Sequence, residues 1–174
     1  MSLTMSIRQG KPEDLEILFS IEYENFGPEI GMPKSVMAAY LAKASETFLV
    51  VEFGTVIAGY IMGTMALQAN LIDEYFFSVP SQSISEAYVA VTGLSVSEAF
   101  QGQGIGTMLL AAMKDLVVSK GHKGIVLTCE EGLVPYYEMN GFEDYGLSES
   151  KLGNQEWIKM VWLAQDRADI VTKP

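Results

Sequence analysis

Several features that would narrow the class of protein are scarce or missing. The 174 residues include a single cysteine, Cys129, so no internal disulfide can form and we expect a reducing, cytoplasmic location. The longest weakly polar run, residues 56–67, is too short to span a bilayer. The first residues carry no basic segment leading into an apolar stretch, and we therefore expect no signal peptide.

Basic residues are also scarce. Lysine and arginine together number 11 against 22 aspartates and glutamates, which gives a net charge of −11. This balance argues against nucleic acid and against anionic membrane surfaces as partners, because their phosphates would be repelled. It suits a cationic partner such as a small-molecule amine.

What is present indicates one globular domain. Hydrophobic residues make up 49% of a chain that is long enough for one well-buried core and short for two. We expect a single domain over residues 5–165, with residues 1–4 as an expression scar and 166–174 as a tail. We expect the protein to be a monomer or a homodimer.

The spacing of apolar residues predicts the element order β-α-α-β-β-β-α-β-α-β-β. The first helix is predicted to end near Phe26, and a strand over 88–96 carries Gly93 in its interior, which is typical of a bulge or of a ligand close to the backbone. A long helix with a regular apolar face follows. This order favours an α/β fold (an α+β mixed sheet) with helices on both faces of the sheet.

A glycine-rich loop joins the strand at 88–96 to the long helix. Gly102, Gly104 and Gly106 let the backbone approach a ligand, and the helix start adds unpaired amides and the positive end of its dipole. This combination predicts an anion site, with phosphate as its natural ligand. Two nucleotide motifs do not fit, because no lysine follows Gly106 and the Gly-x-Gly-x-x-Gly spacing is absent. A glycine-rich turn without a ligand is the alternative.

Two motifs in this half of the chain are similar to those of the GNAT superfamily of N-acetyltransferases. The loop reads Gln-x-x-Gly-x-Gly from Gln101, like the superfamily's pyrophosphate loop, and Tyr-Glu-x-x-Gly-Phe from Tyr137 resembles its second signature. The longer run 127–138 resembles the arylalkylamine (serotonin-type) N-acetyltransferases. The resemblance covers residues 88–145 well and the N-terminal half loosely.

The resemblance implies a mostly antiparallel sheet that is splayed at its centre, with acetyl-CoA as co-substrate and no metal. The splayed strand would bind the pantetheine through its backbone, and the glycine loop would bind the pyrophosphate. Tyr137 takes the position of a general acid that protonates the leaving thiolate, with a purely structural tyrosine as the alternative. Tyr136 is expected to be a packing residue. The implied cofactor-binding residues are Leu94, Ser95, Val96, Gln101, Gly102, Gln103, Gly104, Ile105, Gly106 and Thr107.

The general base is not settled by the resemblance. An alkylamine with a pKa of about 10.4 is mostly protonated at neutral pH, so its proton must be removed. The arylalkylamine enzymes use two histidines on the strand before the glycine loop, but Ala90 and Thr92 stand at the matching positions. The only histidine, His122, is expected in a surface loop far from the reaction. Our candidate base is Glu86. Asp73 and Glu74 in the long connection, or a water route without a dedicated base, are the alternatives.

In the resembled family the acceptor pocket is built by the first two helices, their connecting loop and the late hairpin. The candidate substrate-binding residues are Phe26, Pro28, Met32 and Glu130. We therefore expect an N-acetyltransferase that moves an acetyl group to a small primary amine by direct attack, with an arylalkylamine as the suggested acceptor. The alternatives are a polyamine, an amino acid or a protein N-terminus as acceptor, or a non-catalytic acyl-CoA-binding module.

Overall fold

The computed structural model describes residues 4–80, 82 and 87–164, and within them lie seven strands and four α-helices. The strands are β1 (Met5–Gln9), β2 (Phe48–Phe53), β3 (Val56–Ala66), β4 (Tyr88–Val96), β5 (Gly124–Cys129), β6 (Glu143–Leu147) and β7 (Ile158–Leu163). The helices are α1 (Leu15–Ile30), α2 (Lys34–Lys43), α3 (Ile105–Ser119) and α4 (Val134–Met139). This order confirms the predicted one. None of the described helices is both long and apolar enough to cross a membrane.

The strands form one open, mixed sheet in the order β1-β2-β3-β4-β5-β7-β6. Strands β4 and β5 are parallel, and every other neighbouring pair in the described chain is antiparallel. The core that includes α3 and Tyr137 of α4 lies on one face, and the core that includes α1 and α2 lies on the other. The predicted α/β fold with helices on both faces of a mostly antiparallel sheet is confirmed.

The helix α3 follows directly from its sequence pattern. Its apolar residues recur at helical spacing, so one stripe can be buried against the sheet. Five of them are buried, namely Ile105, Leu109, Leu110, Met113 and Val117. The helix begins after Gly104, whose φ of 80° lies in the left-handed region that glycine tolerates best. The glycine loop therefore leads directly into the start of α3.

The centre of the sheet opens where β4 and β5 separate. The two strands pair only over three residues, from Tyr88 with Gly124 to Ala90 with Val126. In the same region the register between β3 and β4 shifts, leaving Thr92 as an extra residue between Val91 and Gly93. This is the bulge that the interior glycine predicted. Beyond it, the facing edges of β4 and β5 leave room for a ligand.

The helix α1 extends further than predicted but is interrupted where the prediction ended it. At Gly27, φ is 70° and ψ is −177°, and Pro28 follows, so the regular helix breaks just after Phe26 and a last turn continues to Ile30. The chain then folds back towards the helix, and the amide of Met32 donates to the carboxylate of Glu22 at 2.9 Å. The chain after the break therefore contacts the carboxylate of Glu22 from the same helix.

The expectation of a surface position for His122 was wrong. Its side chain is only 8% exposed, and its Nδ1 has no hydrogen-bond partner among the described residues. The amide of His122 donates to the carbonyl of Val117, which places the residue beside the end of α3. The next residue, Lys123, bonds to Ala87 beside the start of β4. This end of the sheet is opposite the opening, so His122 is far from the site, as expected.

Candidate functional site

A cleft of about 250 Å³ occupies the opening between β4 and β5. Its walls come from α1, the segment between β3 and β4 that holds Phe76, the two splayed strands, α4 with the turn before it, and the segment before β7. The lining residues are Glu22, Asn25, Phe26, Ile30, Phe76, Val91, Thr92, Gly93, Leu94, Leu127, Thr128, Cys129, Glu130, Leu133, Tyr137, Leu152 and Trp157. Among these described residues two are glutamates and none is basic, so the cleft suits a cationic, partly apolar molecule.

The splayed edge of β4 offers backbone groups to a ligand. The amide of Ser97 donates to Ala58 of β3 at 2.8 Å. Because successive residues of a strand turn their backbone groups to opposite edges, those of Leu94 and Val96 face the opening. Ser95 instead pairs with Tyr60 of β3 and is buried. Of the three predicted β4 residues, Leu94 lines the cleft, where its backbone could bond a pantetheine chain.

A small polar cluster fixes the end of this strand. The carbonyl of Val96 accepts hydrogen bonds from the side chains of Asn25 and Gln101, each at 3.0 Å. Gln101 also donates to the Asn25 carbonyl oxygen at 3.3 Å, and Asn25 donates to the Ser95 hydroxyl. The side chain of Gln101 therefore ties the glycine loop to α1 and β4.

The glycine loop has the geometry of an anion cradle. Gly102 and Gly104 have φ values of 79° and 80°, and a Cβ on either would meet no described atom within 4 Å. The first amides of α3 lie directly beyond, at the positive end of the helix dipole. The fully buried side chain of Ile105 leaves only its backbone for a ligand, whereas Gln103 and Thr107 are exposed. These residues could hold a pyrophosphate through backbone amides.

Tyr136 packs against the core as expected, and its hydroxyl also reaches the start of α3. Its hydroxyl is 3.3 Å from the Thr107 hydroxyl, and a Cβ on Gly106 would come within 2.6 Å of it. The phenol of Tyr136 thus borders the proposed phosphate site. A side chain at position 106 would displace that hydroxyl.

Tyr137 lines the cleft from α4 and is 8% exposed. Its ring packs edge-on against Tyr136 and Phe142, with ring centroids 5.2 and 5.8 Å apart. Burial raises the pKa of the phenol, with the neighbouring Cys129 and Tyr136 adding to the effect. The phenol therefore stays protonated at neutral pH, as a proton donor must.

Cys129 lines the same part of the cleft at the end of β5. Burial raises the pKa of its thiol to about 11, with the charges of Asp144 and Glu130 in the same direction. The thiolate is the nucleophilic form of cysteine, and here it is disfavoured near neutral pH. Cys129 is thus poorly suited to carry an acyl group.

Glu22 is the residue of the cleft that the sequence analysis missed. It is 3% exposed, and its carboxylate accepts hydrogen bonds from the Tyr60 hydroxyl and from the Met32 amide at 2.9 Å. Burial raises the pKa of Glu22, while these two donors act in the opposite direction. A signal was present, because Glu22 continues the helical spacing of the apolar residues Leu18 and Phe19. A carboxylate on a buried stripe of a helix indicates a functional or paired group.

The other predicted residues fall into two groups. Phe26 and Glu130 line the cleft. The side chain of Met32 instead lies in the core between α1, α2 and the sheet, at 2% exposure, so it can shape the pocket only from behind. Pro28 is exposed on the last turn of α1.

The candidate base Glu86 lies outside the described residues and stays a prediction. Within residues 4–80, 82 and 87–164, no three His, Cys, Asp or Glu side chains come together in a group that could hold a metal ion.

Comparisons with known proteins agree with this geometry. A family model described as the acetyltransferase (GNAT) family matches residues 13–142, which is more than half of the chain. This match places the chain among the acyltransferases, and the open mixed sheet with its splayed β4–β5 edge agrees with it. The chain belongs to the acetyltransferase (GNAT) family. The membership of the GNAT superfamily that the two motifs predicted is confirmed. The assignment to the arylalkylamine subfamily stays a prediction. No curated protein matches the sequence significantly.

Solved structures share the fold at low sequence identity. The loading GNATL domain of CurA from Lyngbya majuscula has a TM-score of 0.79 at 14% identity, over 94% of this chain and 100% of that one. The ribosomal-protein-S18-alanine N-acetyltransferase of Escherichia coli gives 0.69 at 15%, over 92% and 94%. Arabidopsis thaliana Naa50, in complex with the bisubstrate analogue CoA-Ac-MVNAL, gives 0.66 at 17%, over 91% and 98%.

Proposed function

We propose that this protein transfers an acetyl group from acetyl-CoA to a small primary amine, with an arylalkylamine as the suggested acceptor. One observation carries the proposal: the cleft between β4 and β5 brings together a buried carboxylate, Glu22, and a buried phenol, Tyr137, beside the free edge of β4. These are the base and the acid that the reaction needs on its two sides.

Each residue has a distinct role in the proposed mechanism. Acetyl-CoA supplies a thioester carbonyl that an amine can attack. Glu22 takes one proton from the ammonium group, directly or through a water, and passes it to solvent. The amine nitrogen then bonds to the carbonyl carbon as the carbon–sulfur bond breaks. Tyr137 gives its proton to the departing thiolate and recovers one from the new amide nitrogen through water. Because Cys129 is held as a thiol, direct attack is favoured over an acyl-cysteine route.

The acceptor class is inferred from the walls of the cleft. Aromatic and aliphatic side chains, among them Phe26, Phe76 and Trp157, lie on the side of α1 and of the segment before β7. The indole N–H of Trp157 donates to the carbonyl of Leu152 at 2.8 Å, which fixes the ring in place. An apolar pocket with carboxylates Glu22 and Glu130 fits an amine that carries a hydrophobic group.

Release of coenzyme A thiol across a panel of amines tests the proposal. The panel contains an arylalkylamine, a polyamine, a free amino acid and a peptide with a free N-terminus. We expect amine-dependent release with the highest kcat/KM for the arylalkylamine. Fastest release with the peptide would instead identify a protein N-terminus as the acceptor. Tight coenzyme A binding without amine-dependent release would reject the enzymatic role and leave an acyl-CoA-binding module.

Substitution of the base gives the sharper test. Glu22→Gln should lower kcat/KM for the amine by about 10²–10⁴-fold, the usual contribution of a general base, and leave the Kd for coenzyme A unchanged. Glu130→Gln is the matched control, since it removes an exposed carboxylate from the same cleft and should alter mainly KM. If Glu86→Gln causes the large loss and Glu22→Gln does not, Glu86 is the base.

A further inference from the structure

The carboxylate of Glu22 is held by donors from two different parts of the chain. One oxygen accepts from the hydroxyl of Tyr60 on β3, and the other accepts from the Met32 amide at 2.9 Å after the break in α1. Tyr60 is fully buried in the core between α1, α2 and the sheet. A tyrosine in such a core usually needs a partner for its hydroxyl, and here that partner is the proposed base.

The tyrosine is connected in turn to the strand that faces the cofactor. Ser95 is the cross-strand neighbour of Tyr60, and its side chain interacts with the Tyr60 hydroxyl. The hydroxyl of Ser95 accepts a hydrogen bond from Asn25, which is bonded to Gln101 of the glycine loop. A continuous polar chain therefore joins the splayed edge of β4 to the carboxylate of Glu22 through the interior of the sheet.

We propose that Tyr60 is a positioning residue that aims the Glu22 carboxylate into the cleft and keeps it ionised, with Ser95 supporting Tyr60 from the cofactor strand. This inference rests on the proposed function, because it assigns Glu22 the role of base. A buried carboxylate loses the solvation that favours its charged form, and a fixed donor replaces part of that solvation. Tyr60 can serve as this donor at all working pH values, since burial and the nearby Glu22 hold the pKa of its phenol far above neutrality.

Loss of the Tyr60 hydroxyl should change the pH dependence of the reaction. In Tyr60→Phe the charged form of Glu22 loses a donor, so the pKa of Glu22 rises and the acid limb of kcat/KM moves to higher pH, by about one pH unit. The other titratable groups that share the cleft with Glu22 are Cys129, Glu130 and Tyr137, and none of them is changed by the substitution.

The experiment measures kcat/KM for one amine against pH in the wild type, Tyr60→Phe and Tyr40→Phe. Tyr40 is a matched control, since it is equally buried in the same core but donates to the carbonyl of Tyr75 at 2.6 Å. Use of the same amine throughout keeps the amine's own ionisation constant. We expect the acid limb to shift in Tyr60→Phe and to stay in place in Tyr40→Phe.

A second background separates a positioning role from general loss of structure. In Glu22→Gln the acid limb should disappear, and adding Tyr60→Phe should then cause no further shift. If the limb is unmoved in Tyr60→Phe while Glu22→Gln behaves as proposed, the role of Tyr60 is rejected and the proposed function survives. If Glu22→Gln retains full amine-dependent turnover, the base assignment itself is wrong. Equal shifts in Tyr60→Phe and Tyr40→Phe would also reject the inference.

Discussion

The two sides of the cleft are built in different ways. The cofactor side is one continuous stretch, β4, the glycine loop and α3, and it offers mainly backbone groups. The acceptor side is assembled from α1, β5, α4 and the segment before β7, and it offers side chains such as Glu22 and Tyr137. A backbone site needs only glycines and a helix start at the right spacing, whereas a side-chain site depends on long-range packing. Substitutions should therefore affect binding on one side and chemistry on the other.

Among the substitutions that test this difference between the two sides of the cleft, we expect the largest loss of activity at Tyr137. Tyr137→Phe removes the proton donor for the thiolate and should lower kcat by about 10²–10⁴-fold, with the Kd for coenzyme A nearly unchanged. The measurement is steady-state thiol release together with calorimetric binding of coenzyme A. The adjacent Tyr136→Phe is the control, because its hydroxyl borders the glycine loop and not the reacting centre. Parallel losses of kcat and affinity in Tyr137→Phe would show that this tyrosine is structural.

A smaller effect, on binding, is expected at Gly106. In Gly106→Ala the new Cβ would come within 2.6 Å of the Tyr136 hydroxyl, so that side chain must move from its place beside the loop. Displacement of this hydroxyl from beside the proposed phosphate site should weaken binding, by up to roughly tenfold in the Kd for coenzyme A, or about 1.4 kcal/mol.

The double variant Gly106→Ala/Tyr136→Phe tests the cause of this loss. Without the hydroxyl, the nearest ring atom of residue 136 lies 3.8 Å from the added Cβ, an ordinary contact. Affinity should therefore recover relative to Gly106→Ala alone, and the two substitutions should be non-additive. Additive losses would mean that the loop does not bind the cofactor through this arrangement.

The same contrast explains which features the sequence could predict. Apolar periodicity gave the element order, and Gly93 and the glycine loop marked the bulge and the cradle, because each is a local property of the chain. Glu22 was missed as a functional group because its burial depends on the break at Gly27 and on Tyr60 from a distant strand. The insertion of β7 between β5 and β6 likewise depends on long-range pairing that no local pattern indicates.

The smallest expected effect lies outside both sides of the cleft, at His122. Burial lowers the pKa of this imidazole, with the charge of Lys120 acting in the same direction and that of Glu46 against it. The unfolded chain therefore binds a proton at His122 more readily than the folded one, and stability should fall as pH drops below the ordinary value of 6.5.

His122→Gln should remove this contribution and leave catalysis unchanged. The contribution of His122 is measured by thermal unfolding of both proteins at pH 7.5 and at pH 5.5. It is the decrease in Tm of the wild type between the two pH values minus the decrease in Tm of the variant. We expect the wild type to lose more Tm than the variant between the two pH values. Glu22 acts in the opposite sense, since its raised pKa favours the folded state on acidification, but its effect is common to both proteins and cancels. A change in kcat in His122→Gln would show instead that the far end of β4 is coupled to the cleft, and the division into two sides would no longer describe the site.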